Sequence, residues 1–221
     1  MLQTYSLALA VENLLPLALL TFALLSVVRM LKRKSEVVGE LSTVGCFLVV
    51  LGNLLNAVGK FLNAASGGES TWLKHSLLFL SAPGFVSLAW ALWRGLQQDV
   101  KELTAGKVWL FPLFFDAGLL ALTAAVKMVK GGQAWLHLLL TVTTVASIGV
   151  FLQLANQALR RHSQWTAILF VLSLGMSLAL TLRGSDNTAV GEWAQQISNT
   201  ISYAVFAFAA SKLARLEAGR D

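Results

Sequence analysis

The chain has 221 residues, of which 56% are hydrophobic and only 13% charged, with a mean hydropathy of +0.68 and a net charge of +6. A soluble domain carries about a quarter charged residues, so the composition excludes an ordinary water-soluble globule and makes a bilayer the expected solvent. The single cysteine, Cys46, excludes an intramolecular disulfide.

A helix needs about 20 mostly apolar residues to cross the hydrocarbon. Seven stretches of that length follow one another, at roughly 8–29, 42–64, 72–93, 108–130, 134–158, 164–183 and 192–213. They leave no segment long enough for a second domain. The predicted fold class is all-α, with residues 1–221 as a single domain of seven transmembrane helices.

The first stretch follows an N-terminus without a basic n-region, so no cleavable signal peptide is expected. It carries Glu12 and Pro16 and ends on the basic run Arg29–Met30–Leu31–Lys32–Arg33–Lys34, which suits anionic lipid headgroups. In the second stretch Asn53, Asn56, Lys60 and Asn63 fall within an arc of about 80° on a helix. Beside them Gly45, Gly52 and Gly59 recur every seventh residue, a pattern that lets another helix come close. The third contains the Ser81–Ala82–Pro83–Gly84 break, read as a hinge because proline removes a backbone donor.

Asp116 is the deepest acid of the chain, about 12 Å into the fourth stretch. Thr123, Lys127 and Lys130 share its helical face. A lone charge near the midplane costs about 2.5–3.5 kcal/mol. Asp116 is therefore expected to be protonated or held by polar neighbours, with Gln153 and Asn156 of the antiparallel fifth stretch at comparable depth. The sixth stretch offers the small residues Ser173 and Ser177 for close helix association. In the seventh, Glu192, Gln195, Gln196, Asn199, Ser202 and Tyr203 fit an arc of about 120°.

The loop charges set an orientation. Of 17 Lys and Arg residues, only Lys60, Lys74, Lys127, Lys130 and Arg183 fall on one side; all others fall on the opposite side. By the positive-inside rule the N-terminus is outside and the C-terminus cytoplasmic. Tryptophans mark both interfaces, with Trp72, Trp135 and Trp193 outside and Trp90, Trp93, Trp109 and Trp165 inside. The positive net charge is thus a consequence of topology, and no nucleic-acid partner is expected.

Several seven-helix families are excluded by their missing residues. Microbial rhodopsins carry a retinal-bearing lysine midway along the last helix, where this chain reads Ser202–Tyr203–Ala204–Val205–Phe206–Ala207–Phe208. The sugar transporters of three-plus-one-plus-three layout carry a Pro-Gln signature, whereas Pro16, Pro83 and Pro112 precede Leu, Gly and Leu. Hydrolases resembling alkaline ceramidase use three histidines around zinc, and only His75 and His137 share a side here. No Gly-rich phosphate loop, His-Glu zinc motif or nucleophile elbow is present.

The expected function is that of a small inner-membrane transporter or channel-like protein with an outward-facing polar cavity between helices 2 and 7. Asn53, Asn56, Lys60, Gln196, Asn199 and Tyr203 are the expected ligand-binding residues, with Glu12, Lys127, His137 and Glu192 at the cavity mouth. Asp116, Gln153 and Asn156 form an expected inner polar site. One alternative is a sensor signalling to a cytoplasmic partner. Another is a haem or metal enzyme or redox subunit using His75 and His137, since neutral imidazole is a common ligand. The sequence assigns no cofactor. The expected partners are the lipid bilayer and a small polar solute or ion, and a homo-oligomer is compatible with the small-residue faces.

Overall fold

The computed structural model describes residues 11–66, 71–97, 104–183 and 189–219. They form seven helices: α1 Leu14–Lys34, α2 Glu36–Ser66, α3 Thr71–Gly95, α4 Ala105–Lys130, α5 Ala134–Arg160, α6 Gln164–Arg183 and α7 Ala189–Ala218. α1 to α5 are long and apolar enough to cross a membrane; α6 holds a shorter apolar segment, Gln164–Leu180.

Each predicted stretch lies within or largely within one helix, and the main differences are at the ends. Between the first two stretches the sequence leaves a break of about a dozen residues, yet α1 and α2 are separated by Ser35 alone. Ser35 is extended (φ −158°, ψ 133°) while its N–H still bonds Leu31 O. Leu, Lys, Arg and Glu are good helix formers, so both helices continue past the apolar window. At the α4–α5 turn, Gly131 and Gly132 both have positive φ, where side chains other than glycine are strained.

Burial follows helical periodicity. Leu20, Leu24, Val27 and Leu31 line one face of α1 at spacings of four, three and four, and all are almost fully buried. α2 turns Gly45 and Gly52 onto α3, so that a Cβ on Gly45 would stand 2.8 Å from Gly84 O, and one on Gly84 would stand 2.9 Å from Gly45 O. The glycine heptad therefore seats α3, backbone against backbone. α3 itself runs unbroken through Pro83, with Gly84 spent on this contact.

The helices neighbour one another in the order α1, α2, α3, α5, α6, α7 and back to α1. α4 packs outside this ring, mainly on α3 and α5. The ring is filled by large apolar side chains, among them Met30, Leu88, Leu92, Leu154 and Leu213. Phe206 of α7 sits against Phe151 of α5 and Phe170 of α6, with ring centroids 4.7 and 6.0 Å away. Outward-facing residues are also apolar. Phe114 is 72% exposed, Val145 64%, Phe47 61% and Phe208 60%. Patches of this extent are rare on soluble monomers, and hydrocarbon is the solvent they suit.

Candidate functional site

Among the described residues, polar side chains from α2, α7 and the N-terminal end of α1 converge. Asn13 occupies the N-cap position of α1, yet its side chain makes no capping bond. Its Oδ1 instead accepts from Lys60 Nζ of α2 at 3.1 Å and from Gln196 Nε2 of α7. One residue earlier, Glu12 Oε1 accepts from Thr200 Oγ1 at 2.7 Å, one helical turn beyond Gln196. Glu12 Oε2 is buried and has no hydrogen-bond partner among the described residues. A buried carboxylate oxygen without a donor is costly, so this atom is poised to accept a hydrogen bond or meet a cation.

The structure brings some of the expected outer residues together, in a geometry other than the expected one. α1 neighbours both α2 and α7, so their polar flanks meet across Asn13 instead of facing each other directly. Of the expected ligand residues, Lys60 and Gln196 join the cluster. Asn53 donates to Val49 O of its own helix at 2.9 Å. Asn56, Asn199 and Glu192 are half-buried, and the Tyr203 ring packs against the apolar core. Asn13 and Thr200 escaped the sequence reading. Asn13 lies inside the predicted first stretch, next to Glu12, and the structure places it at the α1 N-cap, where a capping role is the default expectation, while Thr200 lies one turn from Gln196.

Ser202, counted in the polar stripe of the last helix, holds α6 and α7 together. Ser173 Oγ bonds Ser202 O at 2.9 Å, Ser202 Oγ bonds Ser173 O at 3.0 Å, and Ser177 Oγ lies 2.9 Å from Ser202 Oγ.

The expected inner residues diverge. Asp116 is half-buried on α4 with Oδ1 buried and without a partner among the described residues. Gln153 donates to Ala89 O of α3 at 3.2 Å, and Asn156 faces outward from α5. The two expected mouth residues on α4 and α5, Lys127 and His137, are exposed. Lys127 Nζ lies 5.4 Å from the Trp135 ring centroid, and His75 meets the same ring edge-on at 5.1 Å. Among the described residues no group of three or more His, Cys, Asp or Glu side chains is arranged to hold a metal.

At the opposite end of the bundle stands a cluster that the sequence reading did not single out. Glu217 of α7 is nearly buried and receives Gln157 Nε2 at 2.5 Å, Arg161 Nε at 2.7 Å and Arg161 Nη2 at 2.6 Å. Lys34 Nζ of α1 lies 3.5 Å from its Oε2. Burial alone would raise the pKa of this carboxyl; the Arg161 and Gln157 hydrogen bonds and the Lys34 and Arg161 charges outweigh it and bring it down to about 2. The available signal was Gln157 and Arg161 one turn apart, with Glu217 between Arg215 and Arg220 after the last apolar stretch. No spacing along the chain links them.

The fold and its polar clusters define an all-helical bundle with several membrane-length apolar helices, the build of a membrane protein. No protein-family model, curated protein or solved structure matches the chain.

Proposed function

We propose that the chain is a multi-pass protein of the inner membrane, with all seven helices crossing the bilayer, the N-terminus outside and the C-terminus cytoplasmic. It transports or conducts a small polar solute or ion entering from the outer side. Glu12, Asn13, Lys60, Gln196 and Thr200 form the entry site. The observation that carries this reading is the pairing on consecutive residues of a doubly used amide oxygen, Asn13 Oδ1, with an unpartnered buried carboxylate oxygen, Glu12 Oε2. Simple helix–helix adhesion needs no ionisable groups, and intramembrane ionisable residues mark solute or ion paths by default.

Glu12 Oε2 favours solutes that donate hydrogen bonds or carry positive charge. At the other end the Glu217 cluster ties α1, α5 and α7 together and would close the cytoplasmic side of the path.

Flux into proteoliposomes, measured over a panel of alkali cations, protonated amines, amino acids and sugars, tests the proposal. Wild-type protein should move at least one of these. Glu12→Gln and Thr200→Val should each slow that flux about tenfold or more, the scale of one lost charge-assisted hydrogen bond. A wild-type protein that moves none of the panel, or variants with undiminished flux, would remove the proposed role.

A further inference from the structure

A cleft of about 420 Å³ opens sideways between α3, α4 and α5, far from the entry site. All of its lining residues are apolar or aromatic, with Ala89, Trp90 and Trp93 on one wall, Phe111 and Phe115 on another and Val145 on the third. Its volume is in the range of small-ligand pockets. The Trp90 indole N–H donates to Val108 O of α4 at 2.9 Å and ties α3 to α4 beside the cleft. Phe111 stacks on Trp90 with centroids 4.2 Å apart.

The cleft has a charged end. The Arg94 guanidinium carbon lies 5.9 Å from the ring centroids of both Trp90 and Trp93. Its Nη1 donates to Gln97 at 3.2 Å, while its Nε is buried without a partner among the described residues. Lys107, exposed in the first turn of α4, adds positive charge beside Val108. From Trp93 to Val86 the α3 wall runs about 10 Å along the helix axis, most of the roughly 15 Å that one leaflet of hydrocarbon offers. The result is an apolar slot beginning at a guanidinium and ending near the bundle's mid-depth.

We propose that this cleft is a binding site for one anionic phospholipid of the cytoplasmic leaflet, with an acyl chain in the slot and the phosphate on Arg94. A guanidinium pre-placed on aromatic faces is weakly hydrated and matches phosphate oxygens with paired donors. A phosphocholine headgroup presents the same phosphate with a compensating cation, which Arg94 and Lys107 disfavour. The inference uses the bilayer placement proposed above and none of the entry-site residues, so the flux assay and a lipid assay fail separately.

The test is native mass spectrometry of the full chain in detergent. The protein is titrated with phosphatidylglycerol or phosphatidylcholine of identical acyl chains, with inorganic phosphate as a separate arm. Wild-type protein should retain one phosphatidylglycerol at about tenfold lower concentration than phosphatidylcholine. Arg94→Gln should abolish that preference, and Arg94→Lys should keep part of it. Val145→Trp, placed on an outward-facing position, should fill the slot and weaken both lipids without disturbing the fold. Equal affinity for the two lipids in the wild type, an intact preference in Arg94→Gln, unchanged binding in Val145→Trp, or competition by inorganic phosphate alone would each overturn the proposal.

Discussion

Arg161 and Glu217, 56 positions apart, meet as a two-point ion pair: Nε on Oε1 at 2.7 Å and Nη2 on Oε2 at 2.6 Å. Arg161 sits in the turn that ends α5, and Glu217 is in the last turn of α7. Gln157 and Lys34 complete the carboxylate's surroundings, so three helices that are remote in sequence are joined at one atom group. With side chains 23% and 6% exposed, the pair is shielded enough that its partners matter individually.

Glu217→Ala should therefore be among the most damaging single changes in the chain. Removing one partner of a buried pair leaves the other charge uncompensated, at about 3–5 kcal/mol. The expected result is a loss of several degrees in the thermal midpoint in detergent. A smaller loss is expected for the Glu217→Ala, Arg161→Ala double variant than for the sum of the singles.

The same carboxylate gives a pH signature. Its pKa in the folded protein is depressed from an ordinary 4.5 to about 2. Its contribution is thus complete above about pH 5 and is lost as pH falls through the folded value, because protonation then removes the ion pair. Thermal midpoints of wild type and Glu217→Gln should differ most at neutral pH and converge towards pH 2. A difference that stays constant over that range would assign the stability elsewhere.

The glycine seam between α2 and α3 supplies a control within one experiment. Gly45→Ala and Gly84→Ala each drive a methyl group to within 3 Å of the other glycine's carbonyl oxygen. Backbone cannot move aside as a side chain can, so each should destabilise by about 1–3 kcal/mol. Gly118→Ala and Gly175→Ala, where a Cβ meets nothing within 4 Å, should be neutral or slightly stabilising. Thermal stability of the four variants, measured side by side, checks the seam.

Ser202→Ala should loosen α6 from α7 modestly. It removes the hydroxyl contacts with Ser173 and Ser177 but leaves the Ser173 bond to the Ser202 carbonyl. Interhelical hydrogen bonds of this kind average about 0.6 kcal/mol, so a loss of about 1 kcal/mol is expected. A flux assay on the same variant should show near wild-type rates, which separates this adhesive cluster from the entry site.

Most of the secondary structure was legible in the sequence because its determinants are local. Seven apolar runs each became one helix, and the burial of Leu20, Leu24, Val27 and Leu31 follows the 3.6-residue period directly. The glycine heptad of α2 announced a close neighbour, although not which one. Helix ends were less legible, as with the single-residue Ser35 turn, because good helix formers extend helices beyond the apolar window.

The site was only partly legible, and the reason is geometric. The spacing of Asn53, Asn56 and Lys60 states which residues share a face of α2; it does not state what that face meets. Asn13 stands between Lys60 and Gln196, 47 and 183 positions away respectively, because α1 is inserted between α2 and α7. Gln153 and Asn156 lie three positions apart, yet one bonds α3 and the other faces outward. The sequence by itself determined the apolar helices, their lengths and the solvent that suits them, since these depend on neighbours within a turn or two. Only the tertiary structure decided which charges pair and which polar atoms stay open, since that depends on the order and rotation of whole helices, which no intrahelical period encodes.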